Sequence, residues 1–216
     1  MNITFRAAEK ADLPFVAWCN YEATSPSPGF CYWDPLLEDS GTDTMQFIKT
    51  VFEQDALAWG RVEDFIIGEI AGEPVCGASG FAMDEADYRP LKMNRLPDVQ
   101  RALGWTDDMR EKFVEQYEAI WRDPLDATLK ASGDWTIECV AVASEHRCKG
   151  LGKALMHAVL ETGKKKGHSS AGISVTLGNT AAETLYEAIG FKPYATYWSE
   201  YFGGEFPGMA KFKMNL

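Results

Sequence analysis

Arg147-Cys148-Lys149-Gly150-Leu151-Gly152-Lys153-Ala154-Leu155 joins two runs of different hydrophobic period, and this junction decides the fold. Before it, Trp135-Thr136-Ile137-Glu138-Cys139-Val140-Ala141-Val142 is rich in apolar and β-branched residues, as a buried strand should be. After it, Leu151, Ala154, Leu155, Ala158 and Val159 recur at the spacing of one helix face. A strand that turns through two glycines into a helix start brings several unpaired backbone N–H groups to one place. Together with the positive end of the helix dipole, they suit phosphate oxygens. A Cβ at these glycines would hold the backbone away from the phosphate or forbid the turn. The stretch predicts a strand, a turn and a helix that bind a phosphorylated cofactor. Two glycines before a helix can also be a tight turn and nothing more. The dinucleotide fingerprint needs three glycines in a set pattern, and a triphosphate loop needs Ser or Thr where this chain has Ala154.

A second segment narrows the choice. A short strand, Ala171–Thr176, is followed by Asn179-Thr180-Ala181-Ala182-Glu183-Thr184-Leu185-Tyr186-Glu187-Ala188-Ile189-Gly190-Phe191. Asn179 or Thr180 suits a helix N-cap, and Gly190 suits the position just past a helix end. With Arg147-x-x-Gly150-x-Gly152 one helix and one strand upstream, the chain resembles the GCN5-related N-acetyltransferase (GNAT) family. The resemblance is strong from about Thr136 to Phe191. It is weak at Ile3–Leu13, which is similar to the family's first strand and helix entry.

The resemblance implies an α/β (α+β) fold, a central, twisted, mostly antiparallel sheet with splayed central strands, flanked by helices. It implies acetyl-coenzyme A as cofactor, with the pyrophosphate on the turn. The amides of Arg147, Cys148, Lys149, Gly150, Leu151, Gly152 and Lys153 form the pool of phosphate contacts. Val140, Ala141 and Val142 are the strand segment beside the pantetheine arm, and the N–H of Val140 would polarise the thioester carbonyl. Asn179 would contact the cofactor arm, cap its helix, or do both. The charges of Arg147 and Lys149 either assist the phosphate or are solvated loop cations.

Acetyl transfer to an amine asks for a base to deprotonate the amine and an acid to protonate the leaving thiolate. Tyr186 stands where many family members place a tyrosine near the thioester sulfur, and core packing is its alternative role. Some relatives carry a glutamate where this chain has Ser174, so that assignment does not transfer. Glu138 is the best remaining carboxylate for the base, against a plain strand-edge role or a chain of waters. The expected function is an acetyl-CoA-dependent N-acetyltransferase acting on a primary amine by direct attack in a ternary complex. The alternatives are a silent acyl-CoA-binding module and an O-acetyl or longer-acyl transferase.

The chain has 216 residues, enough for one well-buried domain and short for two, so residues 1–216 are expected to form a single N-acetyltransferase domain. No apolar run approaches a membrane span, and a net charge of −11 argues against nucleic-acid partners. Five cysteines without metal-ligand spacing point to no metal site and to a reducing cytoplasm. Small-molecule or peptide amines are the expected acceptors, and exposed terminal strands are compatible with a homodimer.

Outside the core, a strand is expected over Asn2–Arg6 and a helix from Asp12, as its cap, to about Ala23. A second helix should span about Asp43–Ala58, a hairpin Phe65–Met83, and terminal strands Phe191–Tyr201 and Met209–Leu216. Residues 84–134 read as a helical insertion, with a helix capped by Asp107-Asp108 and an apolar stripe through Phe113, Tyr117 and Trp121. That stripe is expected to pack on the sheet or a partner, or else to close over the acceptor opening as a lid. Phe30, Tyr32 and Trp33 fall in the connection between the first two helices and are the expected wall of the acceptor pocket.

Overall fold

The computed structural model describes residues 2–25, 31–204 and 206–216. Among these, β1 (Thr4–Ala7), β2 (Phe65–Ile70), β3 (Glu73–Phe81), β4 (Trp135–Val142), β5 (Ser170–Thr176), β6 (Lys192–Trp198) and β7 (Gly208–Asn215) form one sheet. Its order is β1-β2-β3-β4-β5-β7-β6, and every neighbouring pair is antiparallel except β4 with β5.

That parallel pair is short. β4 meets β5 only where Trp135–Ile137 face Ala171–Ile173. Beyond this point β4 stays with β3 as far as Val142, while β5 stays with β7 as far as Thr176. The two strands therefore diverge, and a wedge opens towards their C-terminal ends. The closed end is clipped by Asp134, whose carboxylate accepts from the Ser169 and Ser170 amides at 3.0 and 2.7 Å and from both hydroxyls. Backbone touches backbone beside it, since a Cβ on Gly133 would lie 2.5 Å from the carbonyl carbon of Ala171.

A bulge interrupts β4. The register slips opposite Gly77–Ser79, and Cys139 adopts φ 57°, a left-handed conformation costly for a residue with a Cβ. Trp135 and Ile137 pack with the cluster on one face, whereas Cys139 and Ala141 pack with the cluster on the other. One extra residue thus reverses the sidedness of every later position in the strand.

Helices cover both faces. α1 (Leu13–Ala23), α2 (Asp34–Leu37), α3 (Thr44–Glu53), α4 (Leu96–Leu103) and α5 (Asp107–Ile120) enclose one apolar layer. α6 (Leu151–Lys165) and α7 (Thr180–Ile189) enclose the other. Asp43 caps α3 by accepting from the Gln46 amide at 2.9 Å.

Several boundaries differ from the sequence reading for identifiable reasons. Asp12 does not cap α1 with its side chain, because Arg6 takes the carboxylate at 2.6 and 2.8 Å and the Glu9 amide donates to it. Thr106, not Asp107, caps α5, and the two aspartates follow in its first turn. α3 stops at Glu53, just before Asp55 at φ 51° turns the chain left-handed. β6 ends at Trp198, and Ser199–Phe202 tightens into a 3-10 turn. α4 was not anticipated, although Pro97 in its first turn and Gly104 at φ 68° just past its end punctuate it.

The insertion is a wall of the core. Phe113 and Tyr117 are buried, and α5 packs on α2 through rings that run Trp33, Phe47, Trp105, Phe113, Tyr117 and Trp121. After α5 the chain returns across the sheet. Ser132 donates to the Phe212 carbonyl at 2.8 Å, and the Lys211 ammonium donates to the carbonyls of Ala127, Thr128 and Lys130.

Candidate active site

The turn Ala143–Gly150 links β4 to α6 at the open end of the wedge. Cys148 at φ 57° and Gly150 at φ 80° curl it, and Gly150 is the N-cap residue without a capping side chain. The amides of Cys148, Lys149, Gly150, Leu151, Gly152 and Lys153 donate to no protein acceptor among the described residues; the first acceptor reappears at Ala154, whose amide bonds the Gly150 carbonyl at 3.1 Å. Six successive free donors, at the positive end of a 15-residue helix, form an anion-binding surface. The Arg147 amide is not among them, since it donates to the Ser144 carbonyl at 3.3 Å.

The cationic side chains of the turn are engaged locally. Arg147 donates to the Val142 carbonyl at 2.9 Å and pairs with Glu22 of α1 at 2.9 Å, and Lys149 donates to the Glu145 carbonyl at 2.6 Å. A cavity of about 270 Å³ beside them is lined by Trp18, Glu22, Ala143, Ser144, Glu145 and Arg147. Gly152 faces inward, where a Cβ would stand 3.2 Å from the tip of Leu185 on α7 and 3.9 Å from Val142. Val140 and Val142 pack against the α6 layer and Ala141 lies in the other, beyond the point where β5 has left β4.

Asn179 caps α7, accepting from the Ala182 amide at 3.2 Å. About two turns later, Tyr186 is 6% exposed, with its ring against Phe191 and Phe212. Its hydroxyl makes no hydrogen bond to the described protein, and burial together with the nearby Glu138 carboxylate pushes its pKa well up. Glu138 keeps partial solvent access at the wedge. The protein around its carboxylate nevertheless pushes its pKa up to about 7, against the pull of the Lys211 ammonium. Ser174, which pairs with Lys211 across β5 and β7, is the next residue of β5 after the last one paired with β4. A carboxylate, a phenol and a buried ammonium are therefore gathered at the point where the sheet splits.

The aromatic residues of the first connection part company. Trp33 is 1% exposed, packs its ring at a tilt against Phe47 and Trp121, and donates its indole N–H to Asn20 at 3.0 Å; it belongs to the core and not to a pocket wall, which corrects the sequence expectation. Tyr32 is half-buried, lies against the Phe206 ring at 5.9 Å and meets Thr176 at 3.4 Å, at the open end of β5. Phe30 lies outside the described residues. Sequence reasoning missed Lys211 and Phe206, because an isolated lysine in a strand and a phenylalanine in a Gly-Pro connection carry no motif. It also missed a cavity of about 780 Å³ at the closed end of the sheet, between Phe81 and Trp135. The lysines and arginines lining that cavity are taken up by acids, Arg89 by Asp87 at 2.7 Å, Lys92 and Arg61 by Asp55 at 2.9 and 3.3 Å, and Lys166 by Asp64 at 4.0 Å.

Comparisons with known proteins place the chain in a family and a fold. The model of the acetyltransferase (GNAT) family matches residues 32–191. The mycothiol acetyltransferase of Renibacterium salmoninarum is 31% identical over 139 residues, a stretch covering 64% of this chain and 38% of that protein. The chain spans well under half the length of the curated relatives it matches. Among solved structures, SsHAT superposes with a TM-score of 0.63 at 16% identity, covering 100% of this chain and 98% of that one. The structure of yncA from Salmonella typhimurium, solved with its cofactor acetyl-CoA, gives 0.56 at 16% identity, with 100% and 95% covered. No helix among the described residues is long and apolar enough to cross a membrane. The family match spans most of the chain, from the first helix connection to the end of α7, and the protein belongs to the acetyltransferase (GNAT) family.

Proposed function

We propose that the chain is an N-acetyltransferase, acting as one catalytic unit that moves an acetyl group to a primary amine by direct attack in a ternary complex. The observation that carries this reading is the row of six unpartnered amides, Cys148 to Lys153, at the mouth of a wedge that holds Glu138 and Tyr186. Acetyl-coenzyme A is the cofactor of the family, and it supplies an acetyl group activated as a thioester. The residues fit it. The amides and the helix dipole suit its diphosphate, and the edge of β4 over Val140, Ala141 and Val142, which β5 leaves uncovered, suits an extended, amide-bearing arm as far as the Val142 carbonyl that Arg147 takes.

Each residue then has a role derived from its surroundings. Glu138 takes the proton of the acceptor amine, for which a carboxylate pKa near 7 is well matched. Tyr186 keeps its proton throughout the neutral range and donates a hydrogen bond to the sulfur as it departs as a thiolate. The Val140 N–H is the donor assigned to the acyl oxygen. Asn179 holds the start of α7, and so the height of Tyr186 in the wedge. Arg147 both anchors the turn to α1 through Glu22 and occupies the Val142 carbonyl, so it acts as a brace and not as a free phosphate ligand. Tyr32, with Phe206 beside it, walls the acceptor side.

The test is release of free thiol from acetyl-coenzyme A on a panel of small and peptide amines, repeated with Glu138→Gln and Tyr186→Phe. Amine-dependent thiol release that both substitutions depress supports the reading. Tight cofactor binding with no amine-dependent release on any member of the panel would reduce the chain to a binding module.

A further inference from the structure

Lys211 is a charged residue in an unusual place. It lies in the middle of β7, 2% exposed, and has no carboxylate in contact among the described residues. Its three donors are all used by main-chain carbonyls of one short segment, Ala127 at 3.0 Å, Thr128 at 2.8 Å and Lys130. Three carbonyl dipoles aimed at one nitrogen favour the ammonium form, since a neutral amine would offer only two donors and a lone pair facing the third oxygen. The register sets its neighbourhood. Lys211 pairs with Ser174, and Ser174 follows Ile173, the last β5 residue opposite β4, where Ile137 precedes Glu138. Ile137, Ile173 and Phe212 all belong to the α6–α7 layer, so Glu138, Ser174 and Lys211 share the opposite face.

The geometry points to Lys211 as a positioning residue for the reaction: it ties the returning segment 127–130 over the acceptor face and sets a fixed positive charge opposite Glu138 that keeps this base ionised. The inference rests on Glu138 being the base. A buried carboxylate alone would be protonated well above neutrality and could accept no proton from an amine. The charge next to Ser174 offsets part of that burial without forming an ion pair that would immobilise the carboxylate. Other groups face the pair as well. They are Tyr186 from α7 and Cys139 from β4, which look towards Glu138, and Asp126 and Lys130 from the returning segment, which look towards Lys211. Burial draws Lys211 itself down to about 8, with Glu138 and Asp126 opposing the fall, so the charge is present through the neutral range.

The test is the dependence of kcat/KM on pH for wild type, Lys211→Gln, Lys211→Arg and Glu138→Gln. Gln retains two donors for the carbonyls but carries no charge, and Arg keeps the charge. The acid limb should move up by about half a unit to one unit in Lys211→Gln and stay within a few tenths in Lys211→Arg. An unmoved limb in folded Lys211→Gln, with the limb abolished in Glu138→Gln, overturns the inference and leaves the base assignment standing. If Lys211→Gln does not fold, a limb displaced by a unit or more in folded Lys211→Arg overturns it equally, because the charge is still there. A limb that persists in Glu138→Gln overturns the base assignment instead. NMR titration of the Glu138 carboxyl carbon then decides the inference alone: an equal midpoint in wild type and Lys211→Gln sinks it, and a higher one in the variant supports it.

Discussion

At the residue scale the site depends on two protons held in unequal surroundings. Glu138 titrates near 7, so kcat/KM should fall as the pH drops below that value, because the base is then protonated, and should level off above it. Glu138→Gln should remove this limb along with most of the activity; a rate profile flat through neutrality in the wild type would exclude Glu138 as the base. Tyr186 differs in kind, since burial holds its proton so firmly that donation of a hydrogen bond to the departing sulfur outweighs full transfer. Tyr186→Phe should therefore cost turnover about 10²-fold, towards the low end for general acid catalysis, with cofactor affinity unchanged. Undiminished turnover in that variant would leave the ring a packing role only. Gly152→Asp sets a carboxylate among the free amides, while its Cβ meets the flexible tip of Leu185 at 3.2 Å and Val142 at an ordinary 3.9 Å. Calorimetry should give a folded protein whose acetyl-coenzyme A affinity has dropped by about tenfold or more, the 1.4 kcal/mol or so that a misplaced charge readily costs at such a site. Equal affinity would move the diphosphate elsewhere.

At the element scale, what could be read in advance follows from how local the cause is. The junction around Gly150 and Gly152, the helix started by Asn179 and ended by Gly190, and the hairpin through Ala71-Gly72 are written in adjacent residues, and each stands within a residue or two of its expected place. The bulge at Cys139 has no such mark, because no glycine stands at the left-handed position and its cause is pairing with β3, some sixty residues away in sequence. Tyr32 and Trp33 show the same limit. Adjacent aromatics in one loop look alike, and only the Asn20 side chain waiting for an indole N–H sends Trp33 inward. Trp33→Ala should accordingly cost about 3–5 kcal/mol in denaturant unfolding. Tyr32→Ala should cost far less and should raise the acceptor KM instead; equal losses of stability would place both rings in the core. The Asp134 clip makes a further prediction by linkage. Its four hydrogen bonds hold the carboxyl well below the usual range, so its contribution is present above the ordinary carboxylate pKa and is lost as the pH falls through the depressed one. Asp134→Asn should melt lower than wild type at neutral pH, and the gap should narrow on acidification; identical neutral melting curves would show that the closed end of the wedge does not need the clip.

At the scale of the whole molecule, the sheet separates two apolar layers. The turn before α6, α6 itself and α7 stand on one of them, while α1 to α5 stand on the other, and Lys211 holds the returning segment by its carbonyls. The resemblance covering Thr136–Phe191 reached the first layer almost entirely. The second stayed illegible in its function because its loops and its insertion are fixed by long-range packing, such as Trp105 stacked on Phe47 or Lys211 reaching Lys130. Among the described residues no buried hydrophobic side chain belongs to both layers, and the Arg147–Glu22 pair joins the turn to the opposite helices. This partition bears on how such a protein can change. Under the proposed function, a lineage, or a selection in the laboratory, can rewrite the amine-facing half through many substitutions without disturbing the half that grips the donor. New acceptor preferences are then within reach by drift in α1 to α5 alone, and the donor side can persist as a fixed inheritance.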